Sequence, residues 1–368
     1  MTADSGFILV TGSDGGIGEA VMRRFIGRFS QVVGFDRKAP GPPPPGCTYM
    51  PVEITSDDSV RAGLRVLREH HGARIASVIH LAAYYDFFGA PSTKYDEITV
   101  RGTDRLLRGL RETGFEVEQF VFSSTMLVHA PGEPGQIITE DSLIRPTWAY
   151  PESKVRTEEI LRKGRGNIPI VLLRISGVYD DGCHSIPLAH QIQRIYERQF
   201  TNHFYSASTA HGQSFMHADD LVEAIGRVVE RRAALPPELV LLLGEPIALS
   251  YDELQHTLSR LIHGESLETI VVPRLPAKLG AWLLNLLPGQ TQFIKPWMID
   301  RAGDNYALDL TRARMLLDWE PTRTLRETMP KMIASLKLDP MAWYTKNKLK
   351  PSSKMKTSAG SRAADRAA

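Results

Sequence analysis

Short apolar runs recur along the first half of the chain, over 7–10, 31–35, 49–54, 77–81, 120–123 and 170–175. Longer stretches separate most of them, over 16–29, 56–69, 95–113 and 150–162, and these read as helices. In 56–69, Val60, Leu64 and Leu67 come round to one face. Several of the short runs are apolar almost without interruption, the pattern of strands covered on both sides. Such strands alternating with helices predict an α/β fold built on a doubly wound parallel sheet.

After Val178 the alternation loosens. Strands are expected over 214–217, 239–243 and 269–272, with a helix over 219–230. Ser250 followed by Glu253 predicts a capped helix start. The chain thus divides into a sheet-bearing domain, 1–178, and a smaller substrate-binding lobe, 179–340, that also returns some chain to the sheet. A C-terminal extension, 341–368, follows, expected to be disordered beyond 350 because its Ser, Lys, Arg and Ala offer little to bury. GPPPPG, over 41–46, reads as a stiff surface loop.

Composition narrows the function classes. With 368 residues, 42% hydrophobic and 23% charged, the chain fits a soluble globular protein, and a net charge of +2 does not suggest a nucleic-acid binder. Two cysteines, Cys47 and Cys183, are too few for a disulfide framework and point to a reducing cytoplasm. No secretory signal is read at the N-terminus, and the apolar stretch 279–287 is too short to span a bilayer. No metal site is expected.

TGSDGGIG, over 11–18, stands between the first strand and the first helix and places glycines at Gly12, Gly15 and Gly18. Gly12 permits a tight turn, Gly15 lets backbone approach a pyrophosphate, and Gly18 allows close helix–strand packing. The following helix start offers N–H groups and the positive end of its dipole to the anion, so Asp14, Gly16 and Ile17 join the candidate cofactor site. Asp36 ends the next strand. Its carboxylate can accept from both ribose hydroxyls and would repel a 2′-phosphate, which favours NAD over NADP, although a guanidinium at Arg37 could accommodate that phosphate. The expected domain is therefore a Rossmann domain.

Tyr150 and Lys154 fall in YPESK, four residues apart and so on one helix face. A tyrosine hydroxyl ordinarily titrates near ~10, too high for a good base, and a neighbouring ammonium would lower it. VFSSTMLVHA, over 121–130, puts hydroxyls at the end of an apolar strand, where open sheets of this kind place ligands. Together these segments resemble the extended short-chain dehydrogenase/reductases, a family that includes NAD-dependent epimerases and dehydratases. The resemblance runs over about 6–340 and includes VEI at 52–54, HLAA at 80–83, LLRISGVYD, FMHADDL and LTRARMLLDWEP. It implies an NAD-dependent enzyme with Thr125 as the catalytic hydroxyl supported by Ser123 and Ser124. It also implies that Glu53 and Ile54 flank the adenine and that Leu81, Ala82 and Ala83 line the cofactor's path. His80 and His217 are expected to be structural.

Departures from the family pattern bear on the substrate. Thr99 stands where many members have Asn, Ser176 follows the LLRI strand where nucleotide-sugar enzymes have Asn, and Gln213 precedes the FMH strand where they have Arg. The leading expectation is an oxidoreductase that interconverts a secondary alcohol and a ketone on a small-molecule substrate. A nucleotide-sugar epimerase or dehydratase is the first alternative, and a non-catalytic NAD-sensing scaffold the second. The apolar segment 275–297 suits a lid over a lipophilic substrate, lobe core or a dimer contact equally well, and a homodimer is left open.

Overall fold

The computed structural model describes residues 6–38, 41–86, 89, 92–133, 135–285 and 294–352. Among these, seven strands form one parallel sheet: β1 (Phe7–Thr11), β2 (Val32–Asp36), β3 (Cys47–Pro51), β4 (Arg74–His80), β5 (Phe120–Thr125), β6 (Ile170–Ile175) and β7 (Glu238–Leu243). They lie in the order β3-β2-β1-β4-β5-β6-β7, with the short strand Glu116–Val117 added beside β4. The order reverses between β1 and β4, which opens a crevice at the strands' carboxyl ends.

Alternation within the strands decides what covers each face. From β1, Ile8 and Val10 pack under α1 (Gly16–Phe25) with Val21, Met22 and Phe25. Phe7 and Leu9 point the other way, toward α2 (Asp57–His71) and α3 (Arg101–Glu112), against Leu64, Leu67, Leu106 and Leu110. Burying one such leucine contributes roughly 1.5–3 kcal/mol. α4 (Ala149–Gly164) packs beside α3 and carries Leu161 into the same layer. The opposite layer is completed by late chain: α6 (Ala218–Glu230) lies against α1, and Arg24 joins the two through Glu223 and Glu230.

Beyond 178 the chain does return to the sheet, as β7, paired with β6 from Glu238↔Ile170 to Leu243↔Ile175. A separate apolar cluster forms around Tyr179, Leu188, Ile192, Leu258, Met329 and Trp343. It joins α5 (Ile186–Tyr196), α7 (Tyr251–His263), α10 (Leu325–Leu338) and α11 (Pro340–Lys346). Ser250 caps α7 by accepting from the Glu253 N–H, while the Glu253 carboxylate turns away to Arg326, so half of the expected capping box forms. α8 (Arg274–Asn285) packs on α9 (Pro296–Arg301) and leaves Leu275, Leu279, Trp282 and Leu283 exposed. The rest of the apolar segment 275–297, namely 286–293, and the tail from 353 lie outside the described residues. No helix among the described residues is long and apolar enough to cross a membrane.

Several boundaries differ from the sequence reading, three of them with a plain cause. The first helix ends at Phe25 because Gly27 takes a left-handed φ of 74°. The third strand spans Cys47–Pro51 rather than 49–54, and Glu53 and Ile54 lie in the loop leading to α2. The 95–113 helix is two pieces, a π-helical turn over Tyr95–Val100 and then α3.

Candidate active site

β1 delivers the chain to Gly12, whose φ of 74° and tight surroundings both demand glycine: a Cβ there would lie 2.9 Å from the Ala82 nitrogen. At Gly18 a Cβ would sit 2.1 Å from the Gly12 carbonyl oxygen, so the helix can approach the turn only without a side chain. Gly15 and Gly16 are different. A Cβ at Gly15 meets only the Gly12 oxygen, at 3.3 Å, and one at Gly16 meets nothing within 4 Å. The fold itself therefore leaves room at these two positions, as a ligand approaching the backbone would require. Gly15 also caps α1 without any side chain, which leaves the first-turn N–H groups near Ile17 facing outward.

Asp36 lies beside this turn. Its carboxylate accepts from the Asp14 N–H at 3.0 Å and from the Arg37 N–H at 2.7 Å. Glu53 follows β3, its carboxylate taken by the Thr55 N–H and hydroxyl at 3.1 and 2.8 Å. Ile54 is buried against Gly102 of α3. Leu81 and Ala82 sit across from the turn, donating their N–H groups to the Thr11 carbonyl and hydroxyl at 3.1 and 3.3 Å, and Ala83 continues this half-buried edge. The glycine turn, Asp36 and the 81–83 edge thus converge on one crevice, and the donor set fits an NAD pyrophosphate with an acidic partner for its ribose.

His80 is fully buried and wired into the scaffold. Thr103 spends its hydroxyl proton on the Thr99 carbonyl, so His80 Nε2–H donates to Thr103 at 2.8 Å. Nδ1 then accepts the Thr11 hydroxyl at 2.6 Å. Burial, with Lys154 nearby, pushes this imidazole down to about 3, and it stays neutral. His217 caps α6 by accepting from the Asp219 N–H.

Tyr150, Lys154 and Thr125 meet at the end of β5. Thr125 lies beside Tyr150, where its hydroxyl favours the phenolate, and accepts from the Leu127 N–H at 3.3 Å. The Lys154 ammonium donates to the Ser123 carbonyl at 2.6 Å and sits 4.7 Å above the Phe122 ring and 5.7 Å from the Tyr150 ring centre. Ser123 and Ser124 turn their hydroxyls away from Thr125, to the His80 carbonyl and to Glu158. The lowered tyrosine expected beside a lysine is not what the structure gives. Desolvation pushes Tyr150 up to about 12, against the Thr125 hydrogen bond, and pushes Lys154 down to about 7 against the opposing charge of Glu158. Burial raises the tyrosine because the phenolate charge is costly to hold there.

Aromatic rings surround the tyrosine, and the sequence reading did not single out two of them. Tyr85 meets Tyr150 edge-on at 4.8 Å while staying 47% exposed, and Trp148 lies 5.4 Å away. Trp297 of α9 extends the wall, 5.6 Å from Trp148. The available signal was the Tyr-Tyr pair after HLAA and a tryptophan two residues before Tyr150. Of the divergent positions, Thr99 takes the Tyr84 N–H at 2.9 Å, Ser176 is buried, and Gln213 pairs with Leu249 in a two-stranded ladder.

Comparison with known proteins agrees with this geometry. A 3-beta-hydroxysteroid dehydrogenase of Mycolicibacterium neoaurum is 24% identical over 216 residues, 55% of this chain and 54% of the relative; the chain thus spans about half the length of this curated relative. Among solved structures, MoeE5 in complex with UDP-glucose and NAD superposes with a TM-score of 0.65 at 22% identity, over 91% of this chain and 100% of that one. The UDP-glucuronic acid 4-epimerase of Bacillus cereus gives 0.66 at 20% identity, over 90% and 99%. At these identities the structures speak for the fold. Residues 8–244 match the model of the NAD dependent epimerase/dehydratase family, from the first strand through the glycine turn and YPESK to the end of β7, and the chain belongs to that family.

Proposed function

We propose that the protein interconverts a secondary alcohol and its ketone on an apolar cyclic substrate, with Tyr150 moving the hydroxyl proton. The observation that carries this reading is the setting of Tyr150: beside Thr125 at the end of β5 and walled by Tyr85 and Trp148. NAD, when bound, supplies the acceptor or donor of the hydride. Gly12, Asp14, Gly15, Gly16, Ile17 and Gly18 would hold its pyrophosphate, and Asp36 its ribose hydroxyls with Arg37 alongside. Glu53 and Ile54 would flank the adenine, and Leu81, Ala82 and Ala83 the path toward Tyr150. Thr125 orients the carbinol oxygen, and Lys154 holds the nicotinamide ribose and favours the phenolate whenever the proton leaves. Aromatic walls desolvate a flat apolar ring without offering it charge. The name of the 3-beta-hydroxysteroid dehydrogenase relative fits that substrate class. Purified protein supplied with NAD and a panel of alicyclic alcohols should accumulate NADH, and silence across the panel would retire the reading.

A nucleotide-sugar epimerase or dehydratase is the second reading. Arg301 favours it: its guanidinium donates to the Thr147 carbonyl at 2.5 Å, one residue from the Trp148 wall, and could turn toward a diphosphate. The UDP-sugars named with several of the similar structures point the same way. Against it stand the neutral Ser176 and Gln213. Calorimetry with UDP separates the two, since tight binding belongs to the epimerase.

A further inference from the structure

Tyr150, Lys154 and Glu158 follow one another at four-residue steps, on one face of α4. Three consecutive residues of β5 hold them. Thr125 lies beside Tyr150, the Ser123 carbonyl accepts from Lys154, and the Ser124 hydroxyl donates to Glu158 Oε1 at 2.6 Å. We infer that Glu158 is a positioning residue for the Tyr150–Lys154 pair: a buried anion one turn along α4 from Lys154, anchored to Ser124, the β5 residue next to the one whose carbonyl takes the ammonium. This rests on the reading of that pair as the acid/base machinery.

Glu158 is 2% exposed and Arg174, its partner from β6, 4%. The guanidinium grips both oxygens, at 3.2 and 2.8 Å. Its remaining donors go to the Glu140 carbonyl at 2.9 Å and to His129 Nε2 at 3.1 Å, and His129 Nδ1–H donates to the Ser142 carbonyl at 3.0 Å. Arg162 adds a contact to Glu158 at 3.3 Å. An ion pair so buried is costly to build, and an apolar replacement often serves stability as well. Its position explains its use.

Around the catalytic pair, β4 presents His80, held neutral by burial, and β6 presents Arg174. The 95–100 turn presents Tyr95 and Asp96, the latter engaged by Arg101 and Arg156. Tyr85 faces Tyr150 from its loop, and α4 itself adds Glu158 and Arg162. Among these the Glu158 charge is the one that favours the Lys154 ammonium, opposing its desolvation.

Glu158→Gln keeps partners for Ser124 and Arg174 while removing the charge. Carbon-13 lysine NMR, with the Lys154 resonance assigned through Lys154→Met, reads the result in the full chain. The Lys154 midpoint should move down by about one pH unit or more, a tenfold loss of proton affinity. NAD affinity near neutrality should fall with it and recover on acidification. An unchanged midpoint in folded Glu158→Gln overturns the inference and leaves the ion pair a structural feature. Should Glu158→Gln fail to fold, Glu158→Asp keeps the charge but draws it back from Ser124, and a smaller downward move is expected, with no move again overturning the inference. Normal turnover in Tyr150→Phe would instead retire the proposed function, whatever Lys154 does.

Discussion

At Tyr150 two influences compete: the crowding rings strip water from the hydroxyl, and Thr125 offers it a hydrogen bond. Burial wins, leaving the proton on the tyrosine near neutrality. Alcohol oxidation, which must pass this proton on, should therefore quicken as pH rises above neutral, and a flat pH–rate profile would contradict that. Tyr150→Phe should keep fold and NAD binding while turnover drops by about two to four orders of magnitude, checked by steady-state kinetics. Lys154 gives a stability test. Its proton affinity is lowered in the folded chain to about 7, so between that pH and its ordinary titration near ~10.4 the unfolded chain binds more protons. Wild-type stability relative to Lys154→Met should rise with pH across this window, as melting curves would show. The four-residue spacing of Tyr150 and Lys154 was legible in the sequence because both belong to one helix. Their titration was not, because it follows from how deeply Tyr85, Phe122 and other elements bury them and from the Glu158 charge being held one turn along. The wall was illegible for the same reason, Tyr85 and Trp297 lying far apart in the chain.

Among the elements, the turn into α1 was the most legible, since its glycines answer to local geometry. Gly18→Ala must force the Gly12 carbonyl aside and should lower both melting temperature and NAD affinity. Gly16→Ala meets open space. It should leave the fold as stable or raise stability by up to ~1 kcal/mol, as alanine does within a helix, while weakening NAD wherever the backbone must be approached. Calorimetric melts and NAD titrations of the two variants test the contrast, and equal effects would undo the division between packing and ligand glycines. The apolar pattern also found β1, β5 and β6 with little error, since each is buried on both sides. It misplaced β3, which among the described residues is an edge strand paired with β2 and stops at Pro51, which has no N–H to give. It ran 95–113 together because a π-turn preserves the helical look of a sequence.

Across the whole molecule, late chain completes an early core: β7 extends the sheet, and α6 covers α1. The apolar pattern showed that the chain returned, but not that β7 would pair with β6, because that register depends on residues more than sixty positions apart. The substrate side was legible chiefly through departures, Ser176 and Gln213 standing where a diphosphate would want firmer partners. UDP should accordingly bind weakly or not at all to the NAD-loaded protein. The account turns on net hydride transfer to NAD with Tyr150 taking the hydroxyl proton. Its most direct measurement is NADH fluorescence from protein mixed with NAD and an apolar alicyclic secondary alcohol, wild type beside Tyr150→Phe. NADH accumulating with wild type and nearly lost in the variant is the predicted result; no net NADH, with a UDP-hexose turned over on retained cofactor, would contradict it.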